Sequence, residues 1–120
     1  MTINRGDIVI APFRFTDVDR YRARPVLVVS RAEVYGETRH VIGVMITLAA
    51  SSAWPLDVPI KDCASANLRE GSIVRLKLFS IAEDVLGSRI GRISDQTLSE
   101  VSAVLQAVLG QDAGRQVTTR

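Results

Sequence analysis

A chain of 120 residues that is 47% hydrophobic and 23% charged, with a net charge of +2, has the composition of one folded domain and not of a disordered tract. Its one cysteine, Cys63, excludes an intrachain disulfide and a thiolate zinc cluster, and no apolar run approaches the roughly twenty residues of a membrane span. Lys61 and Lys77 are the lysines, so thirteen of the fifteen basic residues are arginine; the planar fork suits phosphate, and a GC-rich genome gives the same bias.

The start, Met1 to Asp7, has no signal-peptide core, which with the lone cysteine points to a reducing cytoplasm. Arg5-Gly6-Asp7 reads as a turn into Ile8-Val9-Ile10-Ala11, a short apolar strand that Pro12 ends or leaves at an edge. Residues 13–23 form a charged connection with three arginines, three aromatics and two aspartates. Arginines interleaved with aromatics can meet phosphates and unstacked bases; a solvated hairpin loop has the same composition.

Ala23 to Ser30 follows. Pro25 fixes its own φ and drives Arg24 out of the helical region, so Arg24 enters an extended segment. Val26-Leu27-Val28-Val29 then reads as a strand buried on both faces, with a guanidinium at its mouth and Ser30 at its end. Residues 31–38 are polar, with Gly36 as a turn signal. His40 to Thr47 is a second apolar strand ending in a hydroxyl, and the next loop carries Ser51, Ser52 and Trp54-Pro55.

Leu56 to Lys61 alternates as a half-buried edge strand does, and 62–71 reads as irregular. Ser72 to Phe79 is a strand with Arg75 and Lys77 two apart, hence on one face, either solvated or a rail for phosphate. A short strand lies around Arg89 to Ile93. Ser94 or Asp95 caps the one clear helix, whose stripe is Leu98, Val101, Val104, Leu105, Val108 and Leu109, and Gly110 stops it. Residues 1–110 form the domain and 111–120 a polar tail. Several short strands and a terminal helix predict a mainly β (α+β) fold, a small antiparallel barrel or half-barrel with a packed helix.

Absences prune the chemistry. There is no glycine-rich phosphate loop and no metal-ligand cluster, so neither cofactor nor metal is expected, and the single histidine, His40, rules out a two-histidine ribonuclease within one chain. What remains is electrostatic chemistry on phosphate by arginine and hydroxyl groups.

Arg5-Gly6-Asp7-Ile8-Val9, Arg24-Pro25-Val26-Leu27-Val28-Val29-Ser30, the apolar strand ending in Thr47 and Ser72-Ile73-Val74-Arg75 together resemble the MazF/PemK toxins of bacterial type II toxin–antitoxin systems. The resemblance runs through the terminal helix. It implies an SH3-like antiparallel β-barrel with a C-terminal helix, the architecture shared with CcdB, usually as a homodimer. It further implies a metal-independent endoribonuclease on single-stranded mRNA, neutralised by a cognate antitoxin and touching DNA only through the toxin–antitoxin complex.

The family's essential arginine falls on Arg24 and its essential threonine on Thr47. RNA-holding roles are expected for Arg14, Tyr21, Arg22, Ser51, Arg75 and Lys77. Lys77 stands where some relatives carry an aspartate, which leaves the general acid and base unassigned. The alternatives are a non-catalytic barrel that binds RNA or an acidic antitoxin peptide, and a CcdB-like gyrase inhibitor, whose C-terminal Trp-Gly-Ile this chain lacks.

Overall fold

The computed structural model describes residues 2–14, 21–49 and 54–110. Six strands, β1 (Asp7–Arg14), β2 (Tyr21–Val28), β3 (His40–Leu48), β4 (Val58–Pro59), β5 (Ser72–Ala82) and β6 (Arg89–Arg92), form one sheet in the order β4-β5-β3-β2-β1-β6. Every pairing is antiparallel, and the sheet curls into a half-barrel closed on one side by a C-terminal helix. Among the described residues two α-helices, α1 (Ala32–Thr38) and α2 (Asp95–Val108), and a short 3-10 turn at Glu83–Val85 complete it.

Strand residues alternate between two apolar layers, which is why β1 to β3 read as continuous apolar runs. Ile8, Leu27, Val44, Ile46 and Val74 face α2, where Val101 is fully buried, and pack with Cys63 and Ala66 of the connection before β5. Val9, Ala11, Val26, Val28 and Val41 face the other way, onto Ile3 and Tyr35 of α1. Between the layers the sheet admits no spare atoms at Gly43: a Cβ there would come within 2.3 Å of Val26 Cγ1.

The Arg5-Gly6-Asp7 turn is a clamp. Gly6 adopts φ +98°, where a side chain would be strained, and Asp7 is fully buried. The Asp7 carboxylate accepts from the Asn4 N–H at 2.8 Å and pairs with Arg89 at 3.2 Å and Arg92 at 3.5 Å, pinning β1 to β6. A buried carboxylate is tolerable only with partners of this kind. At the helix, Ser94 Oγ accepts from the Thr97 N–H at 3.2 Å, and Gly110 follows the last turn at φ +81°.

Three local expectations change. β2 begins at Tyr21, so Pro25 and Arg24 lie inside a strand and not at its mouth, because residues 21–24 extend the ladder with β1. β1 continues through Pro12, paired with Ala23, to Arg14. The polar stretch 31–38 contains α1, which buries only Tyr35 and ends at Arg39 with φ 57°; one buried residue and an internal glycine leave no periodic stripe to read. The expected tail, 111–120, lies outside the described residues.

Candidate active site

N–H groups along an antiparallel strand alternate between its two neighbours. Val29 donates to Ile42 of β3 at 2.9 Å, whereas Val28 accepts from Gly6, on the β1 side, at 2.8 Å. Pro25 is in step with Val29, so its nitrogen is turned to β3, and a proline has no hydrogen to place there. The β2–β3 pairing accordingly runs Val28–Gly43, Leu27–Val44 and Val26–Met45 and ends.

Continuing that register sets Arg24 opposite Thr47, just past the lost rung. Directly opposed residues hold their Cβ atoms about 5 Å apart. Arg24 is also opposite Ala11 on β1, and Thr47 opposite Ile73 on β5, so the two polar residues stand in a row otherwise made of apolar ones. Beyond the last β2–β3 pair lies a cavity of about 190 Å³. Arg24 and Thr47 line it, and so do Pro25, Ile46 and Leu48 of the opposite parity, so it is reached from the strand ends and not over a single face.

Asn67 and Arg69 line the cavity as well. Both come from the 62–71 connection, whose sequence has no strand or helix period. Asn67 adopts φ 61° and its Nδ2 donates to the Ile90 carbonyl at 3.1 Å, tying this wall to β6. Gly91 lets the wall approach, since a Cβ there would meet the Ala66 carbonyl oxygen at 2.4 Å. The described lining contains no carboxylate and no imidazole. His40 sits at the opposite end of β3, roughly 23 Å of strand from Thr47, with its Nδ1 2.9 Å from the Thr38 carbonyl oxygen.

One row further along the same face, Met45 is opposite Arg75. Arg75 is not on a solvated rail. It is 4% exposed, and its Nε and Nη2 donate to the two carboxylate oxygens of Asp57 at 3.2 and 2.9 Å, the bidentate geometry a guanidinium favours. Asp57 stands where the β4–β5 register, continued by one residue, places it. Its carboxylate also accepts from the Trp54 N–H at 3.3 Å, closing a turn in which Leu56 adopts φ 70°. Lys77, partly exposed, holds its Nζ 4.7 Å from the centroid of the Trp54 ring, and the Arg75 guanidinium lies 5.6 Å from it.

The structure therefore brings together Arg24 and Thr47, with Arg75 and Lys77 two strands away on one face. The side chains of Arg14, Tyr21 and Arg22, and all of Ser51, lie outside what is described. Among the described residues, no group of three His, Cys, Asp or Glu side chains is placed to hold a metal ion. Arginine and threonine side chains at the lip of a cavity can bind an anion and stabilise charge that grows on it.

Residues 4–109 match the family described as "PemK-like, MazF-like toxin of type II toxin-antitoxin system". No curated protein matches at the level of sequence. Among solved structures, an endoribonuclease in complex with its cognate antitoxin from mycobacterial species superposes with a TM-score of 0.74 at 22% identity, covering 92% of this chain and 97% of that one. MazF in a MazE–MazF complex from Deinococcus radiodurans gives 0.75 at 20% identity, over 93% and 100% of the two chains. The Mycobacterium tuberculosis toxin MazF-mt6 gives 0.70 at 24% identity, over 88% and 98%. At these identities the likeness is one of fold.

Proposed function

The chain belongs to the PemK-like, MazF-like toxins of type II toxin–antitoxin systems, a family of endoribonucleases, and from that membership we propose that it cuts single-stranded mRNA at a preferred sequence without a metal ion. The observation that supports this reading most is the Arg24–Thr47 pair, set across the rungless end of β2 and β3 at the mouth of a cavity.

The chemistry follows from those groups. A ribose 2′-hydroxyl attacks the adjacent phosphorus, the bond to the 5′-oxygen breaks, and negative charge builds on the non-bridging oxygens in between. Arg24 offers two N–H groups in a planar fork to those oxygens, and the Thr47 hydroxyl donates beside it. Both come from packed strands, so little reorganisation is needed as the charge develops. The products are a 2′,3′-cyclic phosphate and a 5′-hydroxyl end. A guanidinium donates hydrogen bonds and has no acceptor, so Arg24 serves as electrostatic stabiliser and not as base. Lys77 supplies phosphate affinity, and Arg14, Tyr21, Arg22 and Ser51 are proposed to contact the same strand.

The reading extends to a homodimer in the cytoplasm, held inactive by a cognate antitoxin. The mycobacterial and Deinococcus complexes lend the antitoxin part its support. No described helix is long and apolar enough to cross a membrane.

The test is single-turnover cleavage of a short RNA in EDTA, with circular dichroism to confirm folding. Arg24→Ala should lose roughly a hundred- to a thousandfold in rate, about 3 to 4 kcal/mol of barrier, as loss of one oxyanion donor does. Arg24→Lys should recover part of it, and Thr47→Val should slow the reaction with the fold intact. A folded Arg24→Ala protein within about threefold of wild type removes Arg24 from the site. RNA binding without any cutting by the wild type would leave a non-catalytic barrel.

A further inference from the structure

Trp54 is the chain's only tryptophan and 42% of it is exposed, an unusual state for the largest apolar side chain. Its surroundings hold it there. The Asp57 carboxylate accepts from the backbone N–H of Trp54 at Oδ2 and from the buried Arg75 guanidinium at both oxygens, so the turn 54–57 is fixed to β5 by a salt bridge whose basic partner is almost completely enclosed. Leu56 takes the left-handed conformation that a branched side chain disfavours, and such strain persists only where the surroundings over-determine it.

Arg75 and Lys77 project from same-face positions of one strand, and both cations lie within 6 Å of the ring. Trp54 nevertheless keeps 42% of its surface exposed, which leaves area for a stacked partner. Single-stranded nucleic acid is held by bases stacked on aromatic rings and phosphates drawn to nearby cations, and here the partly exposed Lys77 supplies that cation, the Arg75 charge being paired with Asp57.

The plate stands on the face that carries Arg24 and Thr47. Two strand spacings across and one row along put Arg75 roughly 12 Å from Arg24, within reach of the next few nucleotides of a strand whose phosphate lies at Arg24. We propose that Trp54 stacks an unpaired nucleobase of the RNA near the cut, with Lys77 pairing a neighbouring phosphate and Asp57–Arg75 as the positioning pair that presents the ring. The proposal rests on the reading of this face as an RNA site. Its consequence is a subsite tolerant of base identity, since every base has a π-face, so Trp54 adds affinity and register and the cleavage motif is read elsewhere.

Because the tryptophan is unique, its fluorescence reports this subsite alone. The probe is a short single-stranded RNA of mixed sequence, 2′-O-methylated throughout so that it cannot supply the attacking hydroxyl. Titrated into the intact wild-type protein, it should quench Trp54 saturably and shield it from acrylamide. Anisotropy of the labelled oligonucleotide should show Trp54→Ala and Trp54→Leu weakening binding roughly five- to a hundredfold, with Trp54→Phe recovering most of the affinity. An abasic residue at the stacked position should cost wild type affinity and cost Trp54→Ala none. Unchanged fluorescence at saturating RNA, or Trp54→Ala within twofold of wild type, overturns the proposal. So does silence toward RNA combined with a fluorescence change on adding the antitoxin, which would make Trp54 a protein contact. Cleavage of unmodified RNA is scored separately: a wild type that is quenched but does not cut refutes the nuclease and keeps the subsite, and one that cuts without quenching does the reverse.

Discussion

Pro25→Ala separates the shape of the site from the stability of the sheet. The substitution gives residue 25 an N–H aimed at β3, opposite Ile46, where the ladder now ends. One regained backbone hydrogen bond is worth about 0.5 to 1.5 kcal/mol. Against it stands the wider unfolded ensemble of an alanine, about 0.4 to 1 kcal/mol. The two nearly cancel, so the urea midpoint should correspond to a change of less than about 1 kcal/mol. Function should not be so indifferent. The new rung draws the strand ends together at Arg24 and Thr47 and narrows the 190 Å³ cavity they line, while Arg24 loses the extended bias that a following proline imposes. Displacements near 1 Å at a reacting centre cost up to about a hundredfold. Single-turnover cleavage should fall by roughly ten- to a hundredfold in a protein as stable as wild type. A Pro25→Ala protein that cuts at the wild-type rate would refute the idea that the missing rung shapes the site.

The Asp57–Arg75 pair is nearly enclosed, with side chains 17% and 5% exposed, so Asp57→Ala strands a buried guanidinium without its carboxylate and should cost about 3 kcal/mol, the low end for such pairs. At fixed protein concentration that is a fall in Tm on the order of 10 °C by calorimetry, and a loss under 1 kcal/mol would contradict the burial. Gly43→Ala should cost about 1 to 3 kcal/mol by overpacking against Val26, and Val26→Ala in the same chain should relieve part of it in urea titrations. Tyr35 donates its hydroxyl to Glu83 Oε2 at 2.7 Å; that bond to a carboxylate, then burial, raises its pKa above the usual 10.0. The neutral phenol is the folded form, so its contribution is full below pH 10 and is lost as pH rises through the raised native value. Urea midpoints taken across the alkaline range should therefore drop further for wild type than for Tyr35→Phe, and parallel curves would contradict it.

Which parts of this were legible in the chain follows from which interactions are local. Runs such as Val26-Leu27-Val28-Val29 and Val41 to Ile46 reveal strands because β-branched residues in sequence have few other uses, and the stripe from Leu98 to Leu105 reveals α2 for the matching reason at a helical period. Arg24 was readable because its constraint is its neighbour, Pro25. Arg75 was not, because its partner Asp57 lies eighteen residues away and meets it only through the β4–β5 register. The same applies to Asp7, whose partners Arg89 and Arg92 arrive with the last strand, and to Asn67 and Arg69, which reach the cavity from a stretch with no periodicity. Trp54 reads as a loop residue because nothing adjacent to it in sequence foretells the two cations within 6 Å of its ring.

A sheet is a poor place for catalysis as long as it satisfies its own hydrogen bonds, because a polar group inserted there has nothing left to act on. This fold departs from that rule at one point on the β2–β3 seam. Behind it the rows Val26–Met45 and Leu27–Val44 are packed or fully buried, which gives the seam rigidity. Ahead of it, a proline withholds the one hydrogen that would have extended the ladder, and two polar residues occupy the row that opens. Rigidity on one side and an unfinished ladder on the other are both needed. A seam closed throughout would hide Arg24 and Thr47, and one frayed throughout would not hold them within the fraction of an ångström that charge stabilisation demands. Local rules that fail in an otherwise consistent sequence tend to fail at functional sites, and Pro25 within a buried strand is where this sequence breaks its own.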